Sequence, residues 1–216
     1  MSDRHRAEPE LSTQRIEAFS DGVFAIAITL LILEIKVPHD LEGAGHVPLQ
    51  GALLRLWPSY FAYVLSFLVI GIYWANHHYV FKLYKKTDHL FLLLNVLFLM
   101  CISFLPLPTA VLGGYIRDEA DQAVAVRFYA LGLLLPAVSW LLTWLHANKG
   151  RRLIDPRLDP EFLRSMTTRY VLSVALYLGA VLVSLLYWRF SLAVCVGLTL
   201  LYLLPPKRPV YLPGPE

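Results

Sequence analysis

Six long stretches almost free of charged residues, at 19–37, 57–81, 90–112, 123–146, 170–188 and 190–204, dominate this chain. A bilayer core about 30 Å thick is crossed by roughly 20 apolar residues in helical conformation, and the helix satisfies its own backbone polar groups where no water can. The expectation is an all-α membrane protein with six transmembrane helices. The last stretch is short for a full crossing, so it tilts little or forms a hairpin with its neighbour through Trp188 and Arg189 at the interface. With 216 residues, the six spans leave no room for a separate soluble domain.

Composition agrees with this, since 57% of residues are hydrophobic and 16% charged, against roughly 25% charged in ordinary soluble domains. The net charge of +3 comes from short basic groups between apolar runs rather than from a continuous basic face, which argues against a nucleic-acid partner. Cys101 and Cys195 both fall inside apolar runs and read as packing residues, not as a disulfide or thiolate site. The first 18 residues mix Arg4, Arg6 and Arg15 with Asp3, Glu8, Glu10 and Glu17, and no cleavage site follows the first apolar run. The first helix is therefore expected to remain.

Loop charge sets the expected orientation, because Lys and Arg are retained on the cytoplasmic side during insertion. With the N-terminus inside, that side carries 14 Lys and Arg residues, in groups around Arg15, Lys85, Arg152 and Lys207, and the opposite side carries 5. An even number of spans then places both termini in the cytoplasm. Pro58 opens the second span where a missing N–H costs nothing, Pro106 and Pro108 bend or end the third, and Pro136 is expected to kink the fourth. Trp57, Trp144 and Trp188 lie near the predicted interfaces as an aromatic belt. Residues 205–216, with their Pro-Pro and Pro-Gly-Pro pairs and triplets, read as an extended cytoplasmic tail.

Polar residues inside these runs are the candidates for function. Asp21 sits at the mouth of an otherwise apolar helix and needs a partner or water. The second span ends Tyr-Trp-Ala-Asn-His-His at 73–78, with Trp74 and His77 on one helical face, and Asn95 enters the third span at comparable depth. Asp21, Trp74, His77 and Asn95 can form one interhelical hydrogen-bond network. Such a network either holds three helices together or handles ions or protons. A metal centre on His77, His78, His89 and His146 is disfavoured, because adjacent histidines face different sides of a helix and no His-Glu-x-x-His pattern occurs. No nucleophile elbow or phosphate-binding glycine loop is present, so neither an enzyme nor a small-molecule substrate is expected.

On the first span, Gly22, Ile26, Thr29 and Leu33 share a narrow stripe at about 100° per residue, with Leu30 on its edge and Asp21 turned away. In a symmetric bundle these would form rings, apolar ones that close by dewetting and a hydroxyl ring suited to a partly dehydrated cation. Ordinary helix packing produces the same stripe, and periodicity does not separate the two.

The stretch RIEAFSDGVFAIAITLLILE at 15–34, followed by Trp74 and His77, Asn95 and ISFLPLPT at 102–109, resembles the signature of the transmembrane protein 175 potassium-channel family in its bacterial, single-repeat form. The likeness thins after about residue 112. The resemblance implies a homotetramer around a central pore lined by the first helix, passing K+ with modest preference over Na+. It maps the family's constriction onto Ile26, Leu30 and Leu33, its selectivity-linked hydroxyl onto Thr29, and the polar positions bracing the pore helix onto Arg15, Ser20, Asp21, Trp74, His77 and Asn95. It also implies no cofactor beyond the permeating K+, the lipid bilayer as partner, and a multi-pass place in the inner membrane. The organisation expected is a cytoplasmic segment at 1–15, a channel domain at 16–204 and the tail at 205–216. The principal rival is a proton-coupled transporter in which Asp21 and His77 form a relay. A second is a membrane enzyme with a histidine metal centre.

Overall fold

A computed structural model describes residues 13–37, 48–205 and 207–212; residues 1–12, 38–47, 206 and 213–216, on which parts of the N-terminal and tail expectations rest, lie outside the described residues. Eight α-helices follow in order: α1 (Thr13–Leu30), α2 (Leu49–Arg55), α3 (Trp57–Phe81), α4 (His89–Phe104), α5 (Pro106–Tyr115), α6 (Gln122–Asn148), α7 (Pro160–Val183) and α8 (Trp188–Tyr202). Among the described residues five segments are long and apolar enough to cross a membrane: α1 with its 3₁₀ extension to Glu34, α3, α4 with α5, α6 with the turn that follows it, and α7. At 15 residues, α8 is apolar but only about 22 Å long.

The helix ends follow from local chemistry. Asp88 caps α4 by accepting from Phe91 N at 2.8 Å, and Asp159 caps α7 by accepting from Phe162 N at 3.1 Å. Asp159 followed by Pro160 in the first turn starts α7 ten residues before the predicted span at 170, and the helix ends at Val183 rather than 188. Hydropathy misplaced this span because Glu161, Arg164 and Arg169 on its first turns obscured a helix that capping residues had already begun. The turn to α8 accordingly occupies 184–187, and Trp188 and Arg189 open the next helix instead of forming the turn, with the Arg189 guanidinium 4.8 Å from the Trp188 ring. Pro106 and Pro108, which donate no N–H, divide the third span at Leu105 as expected. Helix α6 continues through Pro136.

Helix α6 is apolar around its whole circumference and forms the centre of the bundle, touching α4, α5, α7 and α8. Close approach there depends on Gly132, because a Cβ would lie 2.7 Å from Pro108 Cγ. Trp144 is 1% exposed and donates to Thr167 Oγ1 at 2.8 Å, so it ties α6 to α7 inside the bundle and is not a belt residue, whereas Trp57 is exposed. Both cysteines are buried and free. Helix α1 packs on the outside of this body, against α3 and α4.

At the end of the bundle holding the 82–88 and 149–159 connections, backbone bonds join the two: Lys85 N to Leu153 O at 2.8 Å and Asp155 N to Leu83 O at 2.9 Å. Asp155, 3% exposed, accepts from Arg157 Nη2 at 2.9 Å and lies 3.6 Å from Lys85 Nζ. The Arg157 hydrogen bonds hold its carboxyl well below the usual carboxylate range despite burial. The described tail residues, 207–212, are extended and docked. Asp159 N donates to Val210 O and Leu212 N to Arg157 O, Tyr79 Oη donates to Lys207 O, and Lys207 Nζ donates to Ser165 Oγ. The segment left between the spans expected at 123–146 and 170–188 is thus a short loop followed by the start of α7.

Candidate functional site

Helix α1 carries two opposed stripes. Ser20, Phe24, Ala27 and Leu31 are buried, while Gly22, Ile26, Thr29, Leu30 and Leu33 are exposed on a single subunit. At about 100° per residue the first set centres nearly half a turn from Ile26 and Thr29. Ile26 is 61% and Leu33 62% exposed, which is unusual for large apolar groups unless lipid or another chain covers them. From Leu31 the helix tightens to 3₁₀ geometry, in which residues three apart eclipse, so Leu33 comes over Leu30 rather than continuing the line through Gly22, Ile26 and Thr29. The α-helical spacing assumed over the sequence could not show this.

Thr29 Oγ1 lies 2.8 Å from Ala25 O and 2.9 Å from Ile26 O. Its single proton is directed into its own helix, so the oxygen lone pairs are what the side chain offers outward. That polarity suits a cation.

The polar residues expected to form one network form two. In the interior, Asn95 Nδ2 donates to Ser20 Oγ at 3.1 Å, and Asn95 Oδ1 lies 3.2 Å from His77 Nε2. With the Asn95 amide oxygen facing the ring, His77 Nε2 is the donor in the second bond. All three residues are at most 2% exposed and join α1, α4 and α3. His77 is further held by Phe81, stacked at 3.9 Å, and by the edge of Phe24 at 5.6 Å. On the surface, Trp74 Nε1 donates to Asp21 Oδ1 at 3.0 Å, linking α3 to the flank of α1. No hydrogen bond joins Asp21 to His77 among the described residues, and Arg15 is exposed and makes no hydrogen bond or ion pair among them.

Two polar features escaped sequence reasoning. Thr109 Oγ1 lies 2.7 Å from Ser66 Oγ, which is 3.2 Å from Tyr129 Oη, so a buried hydroxyl chain joins α5, α3 and α6. Hydroxyls inside apolar runs give little warning, because each can equally well bond to its own helix. His146 Nε2 meets Asp88 at 2.9 and 3.0 Å, with Arg152 Nη2 3.9 Å away. Burial raises the Asp88 carboxyl, but the Phe91 N–H, His146 and Arg152 outweigh it and hold the group below its usual range. Among the described residues no three His, Cys, Asp or Glu side chains gather to hold a metal.

Comparisons with known proteins agree with this architecture. The family model described as endosomal/lysosomal potassium channel TMEM175 matches residues 15–106, which include α1, α3 and α4. A protein of Chamaesiphon minutus named a potassium channel is 43% identical over 199 residues, covering 91% of this chain and 96% of that protein. The crystal structure of a lysosomal potassium-selective channel TMEM175 homolog from Chamaesiphon minutus superposes with a TM-score of 0.79 at 41% identity, covering 88% of this chain and 96% of that chain. The human endosomal/lysosomal proton channel TMEM175 is 35% identical over 142 residues, 63% of this chain and 28% of that much longer protein. These relatives are channels, so the work of this membrane protein is transport rather than catalysis. With nearly full-length likeness to a bacterial relative and the family's helices in place, the chain belongs to the endosomal/lysosomal potassium channel TMEM175 family.

Proposed function

We propose that this protein is a passive, potassium-selective channel, a homotetramer of six-helix subunits in which four copies of α1 surround a central pore. The observation that carries the reading is the opposition of stripes on α1. One side docks on α3 and α4, and the other presents Ile26, Thr29, Leu30 and Leu33 with no cover from their own subunit. Rings of Ile26, Leu30 and Leu33 form a narrow apolar constriction that opposes ions by dewetting, and Thr29 oxygens beside it stabilise a partly hydrated cation. The buried Ser20–Asn95–His77 chain and the Asp21–Trp74 pair brace α1 from its base and its flank, with Arg15 completing the polar set by resemblance. Channel relatives named for potassium support K+ as the ion. Selectivity over Na+ is modest, because a hydroxyl ring discriminates less than a carbonyl-lined filter. Residues 16–204 form the channel domain, and both termini face the cytoplasm of a cell whose inner membrane holds the protein.

Reversal potentials under opposed K+ and Na+ gradients in proteoliposomes, together with the mass of the detergent-free assembly, test this reading. A monomer, or a reversal potential that ignores K+, sinks it. Proton permeation is the second reading, favoured by the name of the human relative. It is separated from the first by current that follows a pH gradient when K+ is symmetric.

A further inference from the structure

A cavity inside each subunit, away from the exposed stripe of α1, lies among α3, α6, α7 and α8. Its volume is about 60 Å³, with mostly apolar and aromatic walls that include Tyr73, Trp140, Tyr177 and Tyr202. Space of this size holds on the order of four to six water-sized groups, which matches a phosphate and its oxygens.

Two wall residues lack an acceptor. The Tyr170 hydroxyl is wholly buried beside Trp140, whose indole N–H can only donate, so the tyrosine's own proton meets no acceptor, while its ring is fixed edge-on to Trp140 and Trp144. Arg169, half-buried and within electrostatic reach of Tyr170, makes no hydrogen bond or ion pair among the described residues. Leaving a buried donor unpaired is costly, and a partly buried guanidinium beside it favours an anion as the partner. Among the other polar walls, Asn76 donates to Ile72 O at 2.9 Å and Thr199 to Cys195 O at 2.9 Å, while Tyr73, Tyr177 and Tyr202 bring further hydroxyls to the cavity. The wall thus holds two adjacent donors without an acceptor, one of them cationic. An acceptor with negative charge meets both.

The cavity also adjoins the outer surface. Ile72, Asn76 and Tyr202 line it and, at the same time, an apolar groove floored by Phe67, Leu68 and Gly71 and edged by Leu203 and Leu204. A groove of this kind on a membrane protein fits an acyl chain, and the cationic cavity beside it fits the charged end of the same molecule.

We propose that the cavity binds the phosphate of an anionic phospholipid, with Arg169 as counter-charge, Tyr170 Oη donating to a phosphate oxygen, and one acyl chain lying in the groove between α3 and α8. Lys207, anchored on Ser165 of α7, adds a second cation at this end of the bundle.

Native mass spectrometry of the full chain, titrated with dioleoyl phosphatidylglycerol, dioleoyl phosphatidylcholine or inorganic phosphate, tests the site. Expected is one tightly held phosphatidylglycerol per chain in the wild type. Its affinity should fall about tenfold in Arg169→Gln, which loses a charge-assisted bond, and about threefold in Tyr170→Phe, which loses a neutral one. Tyr170→Phe removes a single oxygen and keeps the ring contacts, so it remains informative if Arg169→Gln does not fold. The proposal is overturned by equal phosphatidylglycerol affinity in wild type and Tyr170→Phe, by equal retention of the two lipids, by an adduct with inorganic phosphate but not with lipid, or by no adduct. None of these readouts depends on which ion the pore conducts.

Discussion

Replacing Asn95 by leucine keeps the side chain's size and removes both of its hydrogen bonds, leaving His77 Nε2 and Ser20 Oγ buried without the partner they shared. In a soluble core the added apolar surface would offset part of this. In a bilayer it does not, because the unfolded reference is also dissolved in hydrocarbon. Interhelical hydrogen bonds in membranes are worth about 0.6 kcal/mol on average and up to about 1.7, so losing two costs about 1–3.5 kcal/mol. Ser20→Ala removes only the Asn95 Nδ2 bond and should cost about half as much. Trp74→Phe loses a bond at a half-exposed site, 49% accessible, and should cost less than about 1 kcal/mol. The measurement is unfolding in mixed micelles on addition of SDS, followed by circular dichroism. The reasoning fails if Asn95→Leu unfolds at the wild-type SDS fraction, or if Ser20→Ala costs as much as Asn95→Leu.

Three other outcomes are expected. Ile26→Asn, by wetting the constriction, should raise K+ flux into liposomes about tenfold, equivalent to a barrier lower by ~1.4 kcal/mol, while Leu178→Asn on a surface of α7 away from α1 should not; flux unchanged in Ile26→Asn removes α1 from the pore. Gly113→Ala places a Cβ 2.9 Å from Ser59 Cα and should cost about 1–3 kcal/mol by forcing α5 off α3, whereas Gly114→Ala meets nothing within 4 Å and should be neutral or stabilising; equal thermal shifts refute the close approach. Asp155→Asn should destabilise the joined connections by about 1–3 kcal/mol at neutral pH, seen as faster amide exchange at Lys85 and Leu212. Because the folded-state Asp155 carboxyl is held below its ordinary range, that contribution is complete above about pH 4 and is lost only as pH falls further, so wild-type protection that already collapses near pH 5 contradicts the clamp.

Most of the helices were legible because a bilayer imposes length and apolarity on every span, and Pro106 announced its own break. The start of α7 was legible too, in Asp159–Pro160, but only to capping chemistry and not to hydropathy. The candidate site was partly legible. Asp21, Trp74, His77 and Asn95 stood out as polar groups in apolar runs, yet their division into an interior chain and a surface pair depended on side-chain direction, which spacing along separate helices does not define. The eclipsing of Leu30 and Leu33 was hidden for a related reason: the switch to 3₁₀ geometry at Leu31 leaves no mark in composition. Trp144 looked like an interfacial anchor because its depth was right, and only the position of Thr167 on α7 makes it internal.

The hydrogen bond between Ser20 and Asn95 spans 75 positions of sequence, and every helix that α1 leans on is made after it. At about 5–20 residues per second, the ribosome needs roughly 4–15 s to supply that partner. Through that interval α1 has neither its buried stripe covered nor its serine paired within the chain. Helix α1 thus waits for partners made after it, and a substitution that the finished assembly tolerates can still lose the protein at birth, by letting α1 commit to lipid or to a neighbour before α4 arrives.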